Sequence, residues 1–201
     1  MMRGETRGRI VAAAMALFRR KGYGSTSIAD ICEASGVNAG SLYHFFPAKQ
    51  DLLLAVLDAY RDGIGPMLLE PAWKGESDPI ERVFRLLGAY REALVASECR
   101  YGCPIGSLAL ELHDADPAVR KALAENFQAW TDAVKGCFAA APEGFLPDVD
   151  LTGLAELTLS VMEGGVMQAR THGDIARFDR GVAQLRRYIS SLRGQKRGGR
   201  R

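Results

Sequence analysis

The sequence predicts an all-α protein, and three observations carry that reading. Apolar residues recur at spacings of three and four through nearly the whole chain. No stretch alternates as a half-buried strand would. Glycine, proline or a capping residue stands where most periodic runs start or stop. The layout they predict is a three-helix unit in residues 1–50, a larger helical bundle in 51–193 and a basic tail in 194–201.

In the first helix Ile10, Val11, Ala14, Leu17 and Phe18 share a face that stops at Lys21-Gly22, a basic last turn followed by glycine. Ser27 opens a short second helix with Asp30 as its capping-box partner, Ile28, Ile31 and Cys32 face inward, and Gly36 closes it. Asn38 caps a third helix carrying Leu42 and Phe45 or Phe46. Pro47 interrupts, and a fourth helix runs from about Lys49 with Leu52, Leu53, Val56, Leu57 and Tyr60. The stretch Gly63–Pro79, rich in proline and glycine, reads as a connection.

Beyond it Ile80, Val83, Phe84, Leu87, Tyr90 and Leu94 mark a further helix, and a loop through Cys99, Gly102 and Pro104 leads to a short one at Ile105–His113. Asp116-Pro117 starts a long helix with Val119, Leu123, Phe127, Trp130, Val134 and Cys137, and Pro142–Pro147 breaks it. The next helix, from about Asp150 to Thr171, is apolar on more than one side and therefore buried or shared. The last carries Ile175, Phe178, Val182, Leu185, Ile189 and Leu192 as an a/d seam. That spacing fits packing along its whole length, against its own chain or a second copy.

A chain of 201 residues with 47% hydrophobic content can form one large helical domain or a small one joined to a larger. Its net charge of +2 hides an asymmetry. Residues 1–50 hold seven basic side chains against three acidic, and 192–201 hold five basic and none acidic, so the body between is acidic. A basic end on an acidic body suits a phosphate-binding module attached to something else. No apolar run reaches membrane-spanning length, and Met1 to Arg9 has no secretion-type apolar core, so a cytoplasmic protein without membrane contact is expected. Cys32, Cys99, Cys103 and Cys137 are expected to be reduced thiols. No phosphate loop, nucleophile elbow or zinc-hydrolase helix occurs, and His44, His113 and His172 are scattered, so neither an enzyme nor a bound metal or cofactor is expected.

Two short helices joined by a glycine turn, with basic residues upstream, suit a helix-turn-helix. The second of them can enter the major groove while the first braces it. Its outer face would present Asn38, Ala39, Ser41, Tyr43 and His44, and Gly40 would let the backbone approach closely. The residues themselves are more specific. The run Gly22-Tyr23-Gly24-Ser25-Thr26-Ser27-Ile28-Ala29-Asp30-Ile31, then Ala34-Ser35-Gly36-Val37, Gly40-Ser41-Leu42-Tyr43-His44-Phe45-Phe46, Lys49 and Leu52-Leu53 resembles the DNA-binding signature of TetR-family regulators over about residues 7–57.

The resemblance implies a helix-turn-helix DNA-binding domain followed by a ligand-binding and dimerisation bundle. It implies a homodimeric regulator, a repressor, released from a pseudo-palindromic double-stranded operator by a small-molecule or electrophile signal. Thr26 or Ser27, Asn38, Tyr43 and Lys49 would hold phosphates, while Gly40, Ser41 and His44 would lie near bases. Ala39 stands where a lysine is common and Phe45 where a histidine is, which shifts the load toward the basic N-terminal arm. The resemblance also puts the dimer interface on the last two long helices, through Val161, Gly165, Phe178, Val182, Leu185, Ile189 and Leu192.

For the effector, Tyr90, Phe127, Trp130, Met162 and Met167 are suitable lining, though ordinary core residues at helical spacing look the same. Cys103, near a helix N-terminus with Arg100 close in sequence, is a candidate thiolate, either a sensor or inert packing; Cys99 could join it in a reversible disulfide. The stretch Gly102-Cys103-Pro104-Ile105-Gly106-x-Leu108-Ala109-x-Glu111 is similar to a segment in some TetR-family branches. The rival reading is an all-helical dimeric interaction protein without DNA readout.

Overall fold

The structure, a computed structural model, describes residues 3–141 and 144–193; the predicted tail 194–201 lies outside them. The elements are α1 (Arg3–Lys21), α2 (Ile28–Ser35), α3 (Ala39–Phe45), α4 (Lys49–Ile64), α5 (Glu70–Trp73), α6 (Pro79–Ala96), α7 (Pro104–Glu111), α8 (Pro117–Ala139), α9 (Leu151–His172) and α10 (Ala176–Leu192). An isolated bridge between Phe145 and Arg193 is the β pairing among the described residues.

Local chemistry sets the helix starts. Ser27 and Asp30 form both halves of a capping box. Asp78 accepts from the Ile80 N–H at 2.8 Å ahead of Pro79, Asp116 from Ala118 at 2.8 Å ahead of Pro117, and Asp150 from Thr152 at 2.9 Å. Gly36 and Gly173 end α2 and α9 in the left-handed region. The expected connection over 63–79 is largely helical instead. A π-helical turn, Gly65–Leu69, joins α4 to α5. Pro66 lies within that turn and has no N–H to continue an α-helical ladder, whereas a wider turn tolerates it. Trp73 then anchors α5, its indole N–H donating to the Arg82 carbonyl at 2.8 Å.

The chain forms two compact units that do not follow the linear division expected at residue 50. Among the described residues, one holds those up to 63 with 103–127, and the other holds 64–102 with those from 128 on. Thus α7 and the first half of α8 belong with the N-terminal helices. Buried in this first unit are Ile10, Leu17, Phe18, Ile31, Leu42, Phe46, Leu52, Val56 and Leu57, joined by Ile105, Leu108, Val119 and Leu123. Of the two phenylalanines left open by the sequence, Phe46 is the buried one and Phe45 is half-buried. Asn126 is buried as well, its amide donating to the Leu57 carbonyl at 3.0 Å and to Ala122 at 2.9 Å. Arg61 of α4 reaches Glu125 of α8 at 2.9 Å.

The second unit packs α6, the second half of α8, α9 and α10 around one core. Here several residues expected at the dimer seam lie against the core of their own chain. Phe178, Leu185 and Ile189 are each no more than 3% exposed in the single chain, buried against α6 and α9, and Val161, Val182 and Leu192 pack on the same core. Gly165 faces Phe178 of its own chain. Phe178, Leu185 and Ile189 thus pack within their own chain, while Val161, Gly165, Val182 and Leu192 are only partly buried; amphipathic spacing marks an apolar face without naming its partner. Arg91 forks onto Asp179 at 2.8 and 3.0 Å, and Arg186 forks onto Glu81 while lying 3.7 Å over the Phe84 ring, pinning α10 to α6.

Candidate nucleic-acid interface

The turn from α1 to α2 is built first by Gly22, which takes φ +85°, and by Thr26, whose hydroxyl donates to the Gly22 carbonyl at 2.6 Å. Ser27 then caps α2 through Asp30, and Lys21 closes on the Asp30 carboxylate at 2.8 Å. Hydrogen bonds from Lys21 and then Ser27 hold the Asp30 carboxyl well below the usual carboxylate range. Gly36 turns the chain, with its N–H on the Cys32 and Glu33 carbonyls, and Asn38 starts α3 by accepting from the Ser41 N–H at 2.8 Å. Leu42 anchors α3 inward at 0% exposure. With Leu42 and Phe46 inside, Ala39, Gly40, Tyr43 and His44 are exposed and Ser41 half-buried, a short helix showing one outer face.

The structure modifies several expected contacts. Thr26 is 1% exposed, with its hydroxyl on Gly22 and its N–H on the Tyr23 carbonyl. Ser27 beside it is exposed. Asn38 already uses its carbonyl oxygen on Ser41, so only its amide group remains for an anion. Lys49 lies over the Tyr23 ring, 4.2 Å from the centroid, and donates to the Tyr23 carbonyl at 2.6 Å. Burial lowers the Lys49 ammonium, and Glu111 and Asp30 raise it again. The basic arm is part of α1, where Arg7 lies 5.1 Å from the centre of the Phe46 ring.

One contact is not legible in the sequence. Glu111, at the end of α7, accepts from the Tyr23 N–H at 2.9 Å and from the Gly24 N–H at 2.6 Å. The Tyr23 phenol is pushed up by burial and, next, by Glu111. A separation of 88 residues hides this bond from any local pattern.

The effector candidates are dispersed. Trp130 and Met162 are core residues, and the Trp130 ring is 5.2 Å from that of Tyr90. Phe127 is half-buried. Met167 is half exposed and, with Cys99, Glu98, Arg100, Arg170 and Thr171, lines an open cavity of about 560 Å³. Cys103 stands at the N-cap of α7, 3% exposed, without a side-chain hydrogen bond to the helix start. Burial pushes the nearby Tyr60 phenol up to about 12, with Arg19 lowering it and Cys103 raising it. Arg100, invoked to activate Cys103, is exposed and pairs with Glu98 at 2.5 Å. Among the described residues no group of three or more His, Cys, Asp or Glu side chains could hold a metal ion, and no helix is long and apolar enough to cross a membrane.

Residues 10–56 match the family described as bacterial regulatory proteins, tetR family, and residues 79–184 match the LmrA/YxaF-like transcriptional regulator C-terminal domain. The second match alone spans more than half of the chain. The chain belongs to the TetR family. An HTH-type transcriptional regulator of Mycobacterium tuberculosis is 31% identical over 190 residues, covering 91% of this chain and 93% of that one. YxaF of Bacillus subtilis, also an HTH-type transcriptional regulator, is 30% identical over 173 residues, covering 86% and 88%. A TetR transcriptional regulator from Chloroflexus aurantiacus superposes with a TM-score of 0.81 at 29% identity, covering 96% and 98%. As a TetR-family member the chain is a DNA-binding transcriptional regulator, a non-enzyme class, and α2 and α3 lie within the residues matched by the N-terminal family model.

Proposed function

We propose that this regulator is a cytoplasmic repressor that binds a pseudo-palindromic operator as a homodimer and leaves it when a small molecule occupies the second unit. The observation that carries the reading is the outer face of α3, where Ala39, Gly40, Tyr43 and His44 are exposed behind an Asn38-capped helix start. Tyr43, Ser27 and the Asn38 amide hold phosphates and fix the register, with Lys49 contributing charge from the side. Ser41 and His44 reach base edges, and Gly40 permits close backbone approach.

The dimer forms through the outward stripes of α9 and α10 rather than the inner seam. Leu157, Gly164, Gln168 and Thr171 on α9 follow one another at seven, four and three, and Arg177, Gly181, Gln184, Tyr188 and Ser191 on α10 at four, three, four and three, so each set lies along one side of its helix. Leu157 and Tyr188 are 40% and 48% exposed in the single chain, so both are accessible to a partner. Two copies so joined place two reading helices on two half-sites.

The signal acts reversibly. Cys103 is buried, and Arg100 is already paired in solvent, so Cys103 fits packing at the start of α7 better than an electrophile trigger. The deciding experiment is a mobility-shift assay with random-sequence duplex against the chain's own upstream promoter DNA, repeated with candidate effectors. Equal affinity for both duplexes would leave the rival reading, a helical dimer without DNA readout. An effector that weakens DNA binding must itself bind the DNA-bound protein more weakly by the same factor.

A further inference from the structure

We propose that Glu111 is a positioning residue for DNA reading, holding the α1–α2 turn and, through it, the start of α4 in the arrangement that fits an operator half-site. This rests on the DNA-reading role of α3. Glu111 cannot touch DNA as a ligand of phosphate, since a carboxylate and a phosphate repel. Its effect must pass through what it holds.

What it holds is specific. The two carboxylate oxygens take two consecutive backbone N–H groups, Oε2 that of Tyr23 and Oε1 that of Gly24. The residues beneath them are shaped for the carboxylate. A Cβ on Gly22 would lie 2.9 Å from Glu111 Oε2, and one on Gly24 would lie 3.1 Å from Oε1. The peptide so fixed has a second ligand on its other end, for the Tyr23 carbonyl receives the Lys49 ammonium at 2.6 Å. Lys49 is the first residue of α4, and only Phe46, Pro47 and Ala48 separate it from α3. A continuous set of short polar contacts thus runs from α7 to the turn, and from the turn to the junction behind the reading helix.

The charges on this path also act together. Glu111 and Asp30 both raise the Lys49 ammonium against the lowering effect of its burial, so removing Glu111 weakens the hold on Lys49 as well as on the turn. α7 is packed in the same unit as α1 to α4, so a shift of its last turn acts on the head directly. Loss of the clamp should therefore blur discrimination between operator and random DNA. It should not change the number of phosphates neutralised, because no phosphate ligand is removed.

The test compares Glu111→Gln, Glu111→Ala and Gly24→Ala with the wild type, as full chains. The probes are a duplex that the wild type enriches from a randomised pool and a random duplex of equal length. Gly24→Ala leaves the carboxylate in place and presses a methyl group against it, and Gly24 is not in the left-handed region, so it tests the clamp from the opposite side if Glu111→Ala folds poorly. We expect preference for the enriched duplex to fall about tenfold in Glu111→Ala and less in the other two, with the salt dependence unchanged. Amide exchange at Tyr23 and Gly24 should accelerate in parallel. Faster exchange with undiminished preference would overturn the proposal, leaving the clamp structural only. A wild type that enriches no duplex would overturn DNA readout itself, and the proposal with it, a failure visible before any substitution is made.

Discussion

A Cβ at position 165 of α9 would sit 2.9 Å from the Phe178 ring of α10, and Phe178 is 1% exposed and cannot retreat. This contact explains why a helix interior tolerates glycine there: the two backbones approach too closely for a side chain. Gly165→Ala should therefore destabilise the second unit by about 1–3 kcal/mol despite the better helix propensity of alanine. Gly136→Ala, on the exposed side of α8 with nothing within 4 Å, should stabilise by up to about 1 kcal/mol. Thermal unfolding of the two variants should move in opposite directions, by about 2–4 °C per kcal/mol for a chain of this size.

The burial of Leu185 and Ile189 changes what a charge on α10 would do. Leu185→Glu with Ile189→Glu would bury two carboxylates in the core and unfold the second unit. Leu157→Glu with Tyr188→Glu alters only exposed positions of the single chain. Sedimentation of that pair should give a folded monomer with native helical content, and its binding to a two-half-site duplex should fall by at least tenfold. A folded dimer would place the interface elsewhere.

Positioning and base-reading contacts should separate on α3. Tyr43→Ala should weaken enriched and random duplexes alike, since a phosphate contact carries no sequence information. Ser41→Ala and His44→Ala should instead redirect the sequence recovered by selection. Equal losses from all three substitutions would remove Ser41 and His44 from the bases.

Asp30 should make the helix-turn-helix sensitive to acid. Its carboxyl titrates lower in the folded chain than in the unfolded, so its contribution is complete above the unfolded value, about 3.9, and disappears as pH falls below it. Asp30→Ala should melt below the wild type at pH 7, and the gap should narrow as pH drops from about 4 toward 3. A gap constant with pH would assign the loss to packing.

Thiol labelling of the native protein reads out the buried cysteines. Cys32, half-buried, should react first, while Cys99, Cys103 and Cys137 should wait for unfolding. Burial also raises the Cys137 thiol, slowing it further at neutral pH. Rapid modification of Cys103 in the folded chain, with loss of DNA binding, would restore it as an electrophile trigger.

Features written in neighbouring residues were legible in the sequence. The Ser27–Asp30 box, the Gly36 turn, the Asn38 cap and the inward Leu42 depend on partners within four positions, and each appears where the sequence puts it. What depends on distant partners did not show. The burial of Thr26, the two N–H bonds to Glu111 and the partner of the a/d seam are set by tertiary packing, to which periodicity is blind. The proline- and glycine-rich stretch 63–79 misled for a different reason. Its prolines fall at a π-helical turn and in the first turn of α5 and α6, the places where a helix accepts a residue without an N–H.

Asn126 constrains how α8 sits on α4 in the first unit. Its one amide group divides two hydrogens between a carbonyl on α4 and a carbonyl on its own helix, in a place water does not reach. Sliding α8 along α4 by one turn would carry that amide about 5.4 Å from the Leu57 oxygen and strand a polar group in a dry seam. The Asn126 bond to Leu57 thus fixes the register of α8 on α4, because a slip by one turn would leave the buried amide without its partner.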